Sequence, residues 1–262
     1  LLFSTQLKAK YASFVIEAKS GRVLHAINEN TRNYPASLTK LMTLYLLFEA
    51  DEQKKYKFSS YLKVSRRAAN RPASKLGLKP GQRIQVKDAV MALIVKSAND
   101  VATAVAESLG GTEQRFALLM TNKARKLGMS RTTFRNSSGL PHGGQMSTAK
   151  DMATLTSAII NHFPKYYHLF SRHAFSFRGR SYRTHNKLLR TFPGAEGMKT
   201  GYIRASGYNL VTTARRNGKR IIGVVFGFID VNQDVVILIF STPETLLRTC
   251  KDTSVNCFFI SG

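Results

Sequence analysis

From Ser37 to Ala50 the chain reads SLTKLMTLYLLFEA, apolar on nearly every side of a 3.6-residue period. A helix with this pattern has no face to give to water, so it has to run through the middle of a domain with other elements on all sides. Pro35, just before it, suits a first helical turn. Into this run the chain sets Lys40, three residues after Ser37 and therefore on the same helix face. If Ser37 begins the helix, its hydroxyl lies at the positive end of the helix dipole. An ordinary lysine, with a pKa of about 10.4, is charged at neutral pH and useless as a base. Burial lowers that value by up to ~3–5 units, and a second cation nearby lowers it further. A neutral lysine beside a serine can take its proton and create a nucleophile. The same four residues also fit a snorkelling surface lysine and a serine cap, so the rest of the sequence has to decide between the two.

The flanking segments indicate what encloses the helix. YASFVIEAKSGRVLHAINEN alternates and turns at Lys19-Ser20-Gly21-Arg22, which predicts a hairpin of two short strands. GLKPGQRIQVKDAVMALIVKSAND carries a Pro-Gly turn, a short strand and a helix that Asp88 helps start, ending at Ser97-Ala98-Asn99. NDVATAVAESLGG predicts an alanine-rich helix closed by Gly110-Gly111. TEQRFALLMTNKARKLGM predicts an amphipathic one with Phe116, Leu119, Met120 and Leu127 on its packed side and Gly128 at its end. GYNLVTTARRNGKRIIGVVFGF is two apolar runs joined by Asn217-Gly218, a strong hairpin signal. Strands at both ends with helices between predict an α+β fold: one antiparallel sheet built from both chain ends, covered by helices, with a mostly helical middle segment. No internal repeat or low-complexity linker is visible, so a single domain is expected.

Charge limits the partners without choosing among them. Forty Lys+Arg against fifteen Asp+Glu give a net charge of +25, which favours polyanions: nucleic acid, anionic lipid or acidic cell-wall polymer. Residues 152 to 195 contain no acid while carrying Lys165, Arg172, Arg178, Arg180, Arg183, Lys187 and Arg190, so an anionic envelope surface is expected to meet this stretch. No zinc-finger, helix-turn-helix or RNA-binding pattern accompanies the charge, which argues against nucleic acid. Cys250 and Cys257 are the only cysteines, no CxxC is present, and the dispersed histidines lack metal-ligand spacing, so neither metal nor cofactor is expected. IIGVVFGF and VVILIF are separated by IDVNQD, so no apolar stretch of about 18 residues forms a transmembrane span.

Two further motifs supply Ser37 and Lys40 with partners. Ser97-Ala98-Asn99, on a loop between helices, offers a hydroxyl for proton relay and an amide for a substrate carbonyl. Alone it reads as a helix cap. Lys199-Thr200-Gly201, in EGMKTGY, opens a predicted strand, where the glycine admits a ligand close to the backbone; alone it reads as a turn. In chain order, S-x-x-K, S-x-N and K-T-G form the signature set of class A β-lactamases and penicillin-binding proteins.

On these residues the sequence resembles the serine-type D-alanyl-D-alanine carboxypeptidases, the low-molecular-mass penicillin-binding proteins of the penicillin-recognising serine enzymes. The resemblance runs from about residue 11 to 228, through YASFVIEAKSGRVL, YPASLTKLMT, LKPGQRIQVKDAVMALIVKSANDVATAVAE, FRNSSGLPHGGQMSTAKDMATL, HNKLL and EGMKTGYIRASGYNLV. It implies Ser37 as acylating nucleophile, Lys40 as its base and Ser97 as relay to the leaving D-alanine. It implies Asn99 as holder of the substrate amide. Lys199 would keep Lys40 neutral and, with Thr200, meet the terminal carboxylate beside Gly201. Backbone N–H groups of Ser37 and Tyr202 would form an oxyanion hole, worth ~2.7–4 kcal/mol per donor. The substrates implied are peptidoglycan stem peptides, with β-lactams acylating the same serine.

His142 and His185 tempt a Ser-His mechanism, but Lys40 already fills the base role. A β-lactamase would need a glutamate-activated water, and no such loop is visible between Asn99 and Lys199. A catalytically impaired peptidoglycan-binding protein is the other alternative, motivated by residues 229–262, which do not align with the family and leave a substrate-binding arginine of relatives without a counterpart. The resulting division is 1–10 as the stub of a secretory leader, 11–228 as the peptidase domain and 229–262 as a divergent tail, in a periplasmic or secreted protein.

Overall fold

The computed structural model describes residues 11–228. The expectations for residues 1–10 and for 229–262, with Cys250 and Cys257, fall outside the described residues. In chain order the elements begin with β1 (Ala12–Glu17), β2 (Val23–Ile27), a 3₁₀ turn (Ala36–Thr39), α1 (Lys40–Glu52), β3 (Tyr61–Lys63), α2 (Arg66–Ala69) and β4 (Arg83–Gln85). Next come α3 (Val86–Met91), a π-helical turn (Ala92–Lys96), α4 (Asn99–Gly110), α5 (Glu113–Lys126), α6 (Ala149–His162), α7 (Pro164–Tyr167) and a second 3₁₀ turn (His168–Ser171). The last are β5 (Ala174–Phe177), β6 (Arg180–Arg183), α8 (Leu188–Thr191), β7 (Ala195–Ile203), β8 (Gly207–Arg216) and β9 (Lys219–Phe228).

The α+β expectation holds. Both chain ends build one five-stranded antiparallel sheet in the order β2-β1-β9-β8-β7, and the helical middle covers it. The Asn217-Gly218 turn closes β8 and β9 with φ of +47° and +74°, the paired left-handed residues that a two-residue hairpin turn needs. β1 departs from the expected alternation: Ala12 through Ile16 are all buried. As an interior strand, it packs Phe14 and Ile16 into the main core and Val15 into a smaller cluster with Leu188, Leu210, Ala214 and Val225.

α1 is enclosed as its sequence requires. Leu41, Met42, Leu44, Leu47 and Phe48 are fully buried. Phe48 stacks on Tyr166 at 4.4 Å between ring centroids and meets Phe163 and Phe170 edge-on, so the α6–α7 segment clamps one side. α5 is capped by Thr112, which accepts a hydrogen bond from the Arg115 N–H. It buries Phe116 and Met120, with Leu127 partly buried against the core. Leu119, expected on that side, is 45% exposed, because a peripheral helix buries only a narrow stripe and its i+3 position falls at the margin.

Candidate active site

Ser37 sits not at the start of α1 but in the 3₁₀ turn before it, with Pro35 at the N-cap. Ala36 is forced to a φ of +47°, a left-handed backbone that costs about 1 kcal/mol and persists only where packing imposes it. The packing comes from Gly139, at φ +87°: a Cβ there would lie 1.8 Å from the Ala36 carbonyl oxygen. From the other side β7 presses in, and a Cβ on Gly201 would lie 3.0 Å from the Ser37 nitrogen. The glycine of Lys199-Thr200-Gly201 therefore permits contact between strand and nucleophile turn. That triad lies in mid-strand rather than opening it.

Lys40 has no exposed surface. Its Nζ lies 3.0 Å from Ser37 Oγ and donates to Asn99 Oδ1 (2.8 Å) and to the Ser138 carbonyl (2.6 Å). A neutral amine has two hydrogens and one lone pair. The two carbonyl oxygens accept the hydrogens, leaving the lone pair for the Ser37 hydroxyl. Burial drives the Lys40 pKa well below the ordinary lysine value and the charge of Lys199 adds to the shift, against a smaller opposing pull from Asp100. Lys199, 2% exposed, donates to the Thr200 carbonyl at 2.9 Å, and burial brings its pKa down to about 7.

Ser97 ends the π-helical turn in the left-handed region at φ +58°, a strained conformation of the kind that clusters at functional sites. Its Oγ is buried and makes no hydrogen bond among the described residues. Asn99 opens α4, and both ends of its amide are engaged: Oδ1 by Lys40, and Nδ2 by donation to the Pro72 carbonyl at 3.0 Å. It thus bridges the lysine to the loop before β4.

Ser37, Ser97, Asn99, Thr200, Gly201 and Tyr202 line one cleft of about 490 Å³, with Lys40 and Lys199 beneath its walls. Tyr202, 57% exposed at the mouth, packs its ring 4.6 Å from that of Tyr208. His185 also lines the cleft, its pKa lowered by burial and by nearby lysine charge, that of Lys199 foremost. His142 is exposed and accepts a hydrogen bond from the Gly144 N–H. No group of three or more potential metal ligands occurs among the described residues.

Sequence reading missed five supports. Ser138 supplies the carbonyl for Lys40, while Thr43, one turn along α1, donates to the Ser137 carbonyl at 2.7 Å, so α1 fixes this loop twice. Glu113, 2% exposed, accepts from Ser137 and pairs with Arg67 and Arg71, tying the loop to α2 and α5. Asp100 accepts the N–H groups of Leu76, Gly77 and Leu78 at 3.1, 2.9 and 3.2 Å and holds the loop below Ser97. Asn209 on β8 donates to the Tyr34 carbonyl at 2.9 Å and so fastens the sheet to the nucleophile turn. In the Asn136-Ser-Ser-Gly run, quoted above only for the resemblance, Asn136 Oδ1 accepts the Gly139 N–H and closes a turn. Nothing in it announced a lysine partner. The basic stretch is also narrower than its composition implied, because Lys165 turns back to Asp51 and Glu52.

Known proteins resemble this chain in sequence and in fold. The family model for D-alanyl-D-alanine carboxypeptidase matches residues 4–229. The D-alanyl-D-alanine carboxypeptidase DacF of Bacillus subtilis is 35% identical over 221 residues, covering 82% of this chain and 57% of that protein, so the chain spans little more than half the length of this relative. Penicillin binding protein 6B of Escherichia coli superposes with a TM-score of 0.82 at 33% identity, covering 92% of this chain and 77% of that one. Penicillin-binding protein D2 of Listeria monocytogenes in its ampicillin-bound form gives a TM-score of 0.75 at 31% identity, covering 87% and 92%.

Proposed function

We propose, from the premise that this chain belongs to the D-alanyl-D-alanine carboxypeptidase family, that it removes the terminal D-alanine from peptidoglycan stem peptides through an acyl-enzyme on Ser37. The observation that carries this reading is the buried Lys40 amine, 3.0 Å from Ser37 Oγ with its hydrogens directed at Asn99 and Ser138.

In the first half-reaction Lys40 takes the Ser37 proton as Oγ attacks the carbonyl of the D-alanyl-D-alanine bond. The oxyanion meets the backbone N–H groups of Ser37 and Tyr202, which stand on the touching 3₁₀ turn and β7. β7 is an edge strand, so its outer side has backbone groups for an extended peptide to pair with. Lys199 and Thr200 receive the terminal carboxylate. The unpartnered Ser97 hydroxyl passes the proton to the leaving amine, which departs as D-alanine. Water then attacks the ester, with Lys40 again taking the proton, and the shortened stem leaves.

β-Lactams enter the same cycle by ring opening on Ser37. No carboxylate lines the cleft among the described residues, so no glutamate stands ready to activate water against that adduct. This favours a long-lived penicilloyl ester over β-lactamase turnover. Residues 11–228 act as the catalytic unit, on the outer side of the cytoplasmic membrane where peptidoglycan lies. No helix among the described residues is long and apolar enough to cross a membrane.

The test is intact-mass spectrometry after incubation with benzylpenicillin, together with D-alanine release from diacetyl-Lys-D-Ala-D-Ala. The expected result is one penicilloyl adduct on the wild-type chain, none on Ser37→Ala, and D-alanine release by the wild type only. An adduct that persists on Ser37→Ala refutes the assignment, as does a wild-type chain that neither acylates nor hydrolyses.

A further inference from the structure

The hairpin β5–β6 stands beside the cleft. Its packed face stacks Phe175 on Phe177 and on Tyr182, each pair 6.1 Å apart, and buries Phe175 in the main core. Both strands rest on the Ala92–Lys96 turn, and Lys96 Nζ lies 5.5 Å above the Tyr182 ring, one residue before Ser97. After β6 the chain passes directly into the cleft wall at His185 and Lys187. The hairpin is therefore one rim of the site, continuous with it in both sequence and space.

That rim is cationic and unneutralised. Arg178, Arg180 and Arg183 are exposed, and among the described residues none of them forms an ion pair. Some basic residues elsewhere find local acids, as Arg67 and Arg71 do with Glu113 and Arg215 and Arg220 with Glu196, while others such as Arg66 and Arg131 form no ion pair among the described residues; what sets these three apart is their place beside the cleft. No acid lies between Met152 and Ala195 to serve the hairpin. The tip adds a second sign. Arg178 and Gly179 form its two-residue turn at φ +48° and +74°, and the first of these positions favours Asn, Asp or Gly. A strained backbone thus carries a long cationic side chain at the outermost point of the rim.

We propose that Arg178, Arg180 and Arg183 form a docking surface for the carboxylates of neighbouring stems on polymeric peptidoglycan, holding the polymer while one stem end occupies the cleft. This rests on the peptidase reading above. Every stem that ends in D-alanine has a free terminal carboxylate, so a polymer of stems presents repeated anions, and the guanidinium fork matches a carboxylate in two hydrogen bonds. Single exposed pairs are weak and screened by salt. Strand alternation puts Arg180 on the Tyr182 side and Arg183 on the other, so the three straddle the hairpin; together they act on a multivalent polymer that wraps it and leave a small, isolated peptide unaffected.

The experiment compares the full chain with the triple variant Arg178→Gln/Arg180→Gln/Arg183→Gln. Co-sedimentation with insoluble peptidoglycan is measured at low and high salt, alongside hydrolysis of diacetyl-Lys-D-Ala-D-Ala and labelling by fluorescent penicillin. The wild type is expected to lose polymer binding by about tenfold on raising the salt and to bind equally poorly to peptidoglycan whose carboxylates have been converted to amides. The triple variant is expected to bind untreated polymer about tenfold more weakly than wild type, with small-peptide kcat/KM within about twofold. Unchanged binding of the wild type to amidated peptidoglycan overturns the proposal without needing any variant. Equal polymer binding by the triple variant overturns it too, as does a loss confined to phosphatidylglycerol vesicles, which would make lipid the partner. A wild type that docks through these arginines but takes up no penicillin supports the docking surface while removing the peptidase reading.

Discussion

Replacing Gly139 by alanine tests whether the nucleophile turn is held by backbone contact. The added Cβ would sit 1.8 Å from the Ala36 carbonyl oxygen and 2.9 Å from the Ser37 nitrogen, where real contacts begin near 3.0 Å. The Ala36–Ser37 peptide or the Gly139 loop must therefore retreat by at least the 1.2 Å between 1.8 and 3.0 Å. The same loop supplies the Ser138 carbonyl to Lys40, so either movement disturbs the Ser37–Lys40 pair. A misplacement of about 1 Å costs roughly 10²-fold in rate, or about 2.7 kcal/mol of barrier. Alanine at φ +87° adds about 1 kcal/mol of strain, and crowding in a packed site adds about 1–3 kcal/mol. Together these lower Tm by roughly 5–15 °C. The assay is the second-order rate of acylation by fluorescent penicillin, measured well below the variant's Tm, with a thermal scan. Gly143→Ala is the control, because a Cβ there meets nothing within 4 Å. The reasoning is refuted if Gly139→Ala acylates within about threefold of wild type with an unchanged Tm.

Asp100→Asn removes a buried carboxylate that accepts three loop N–H groups, and the amide that replaces it cannot accept them all; a loss of about 3 kcal/mol in chemical denaturation is expected. It also removes the one charge that raises the Lys40 pKa, so the ascending limb of the acylation pH profile should move to lower pH; a limb that moves upward contradicts this. Lys199 has a folded pKa of about 7 against an ordinary 10.5, so between those values the unfolded chain binds more protons and stability rises with pH. In Lys199→Met the rise in Tm from pH 7 to 10 should be shallower than in wild type, and parallel slopes would show that Lys199 is not held in its neutral-favouring site.

Local signals recovered the elements whose reasons are local. Asn217-Gly218 marked its hairpin because two successive left-handed residues suit few other pairs. The enclosed helix followed from SLTKLMTLYLLFEA because an all-apolar surface has nowhere else to go. Ser37, Ser97, Asn99 and Thr200, which line one cleft, were grouped by resemblance to a family signature and not by local signals, since each motif alone had an ordinary reading. What stayed hidden depends on long-range geometry. The Ser138 carbonyl is a backbone atom that every residue possesses, and only the tertiary approach of residue 139 to residue 36 makes it a partner of Lys40. Asn209 reaches Tyr34 across 175 positions in sequence, which no periodicity encodes. Leu119 was misassigned because an apolar residue at helical spacing does not reveal how wide a stripe the neighbours will cover.

The state of the Lys40 amine is the most direct test. In a chain labelled with ¹⁵N at lysine Nζ, the Lys40 signal can be assigned by its disappearance in Lys40→Met. At pH 8 a neutral amine is expected at Lys40, with its titration midpoint displaced well below the ordinary 10.5 by burial and by Lys199. A Lys40 signal that titrates together with the exposed lysines would mean an ammonium beside Ser37, and with it no base for the serine.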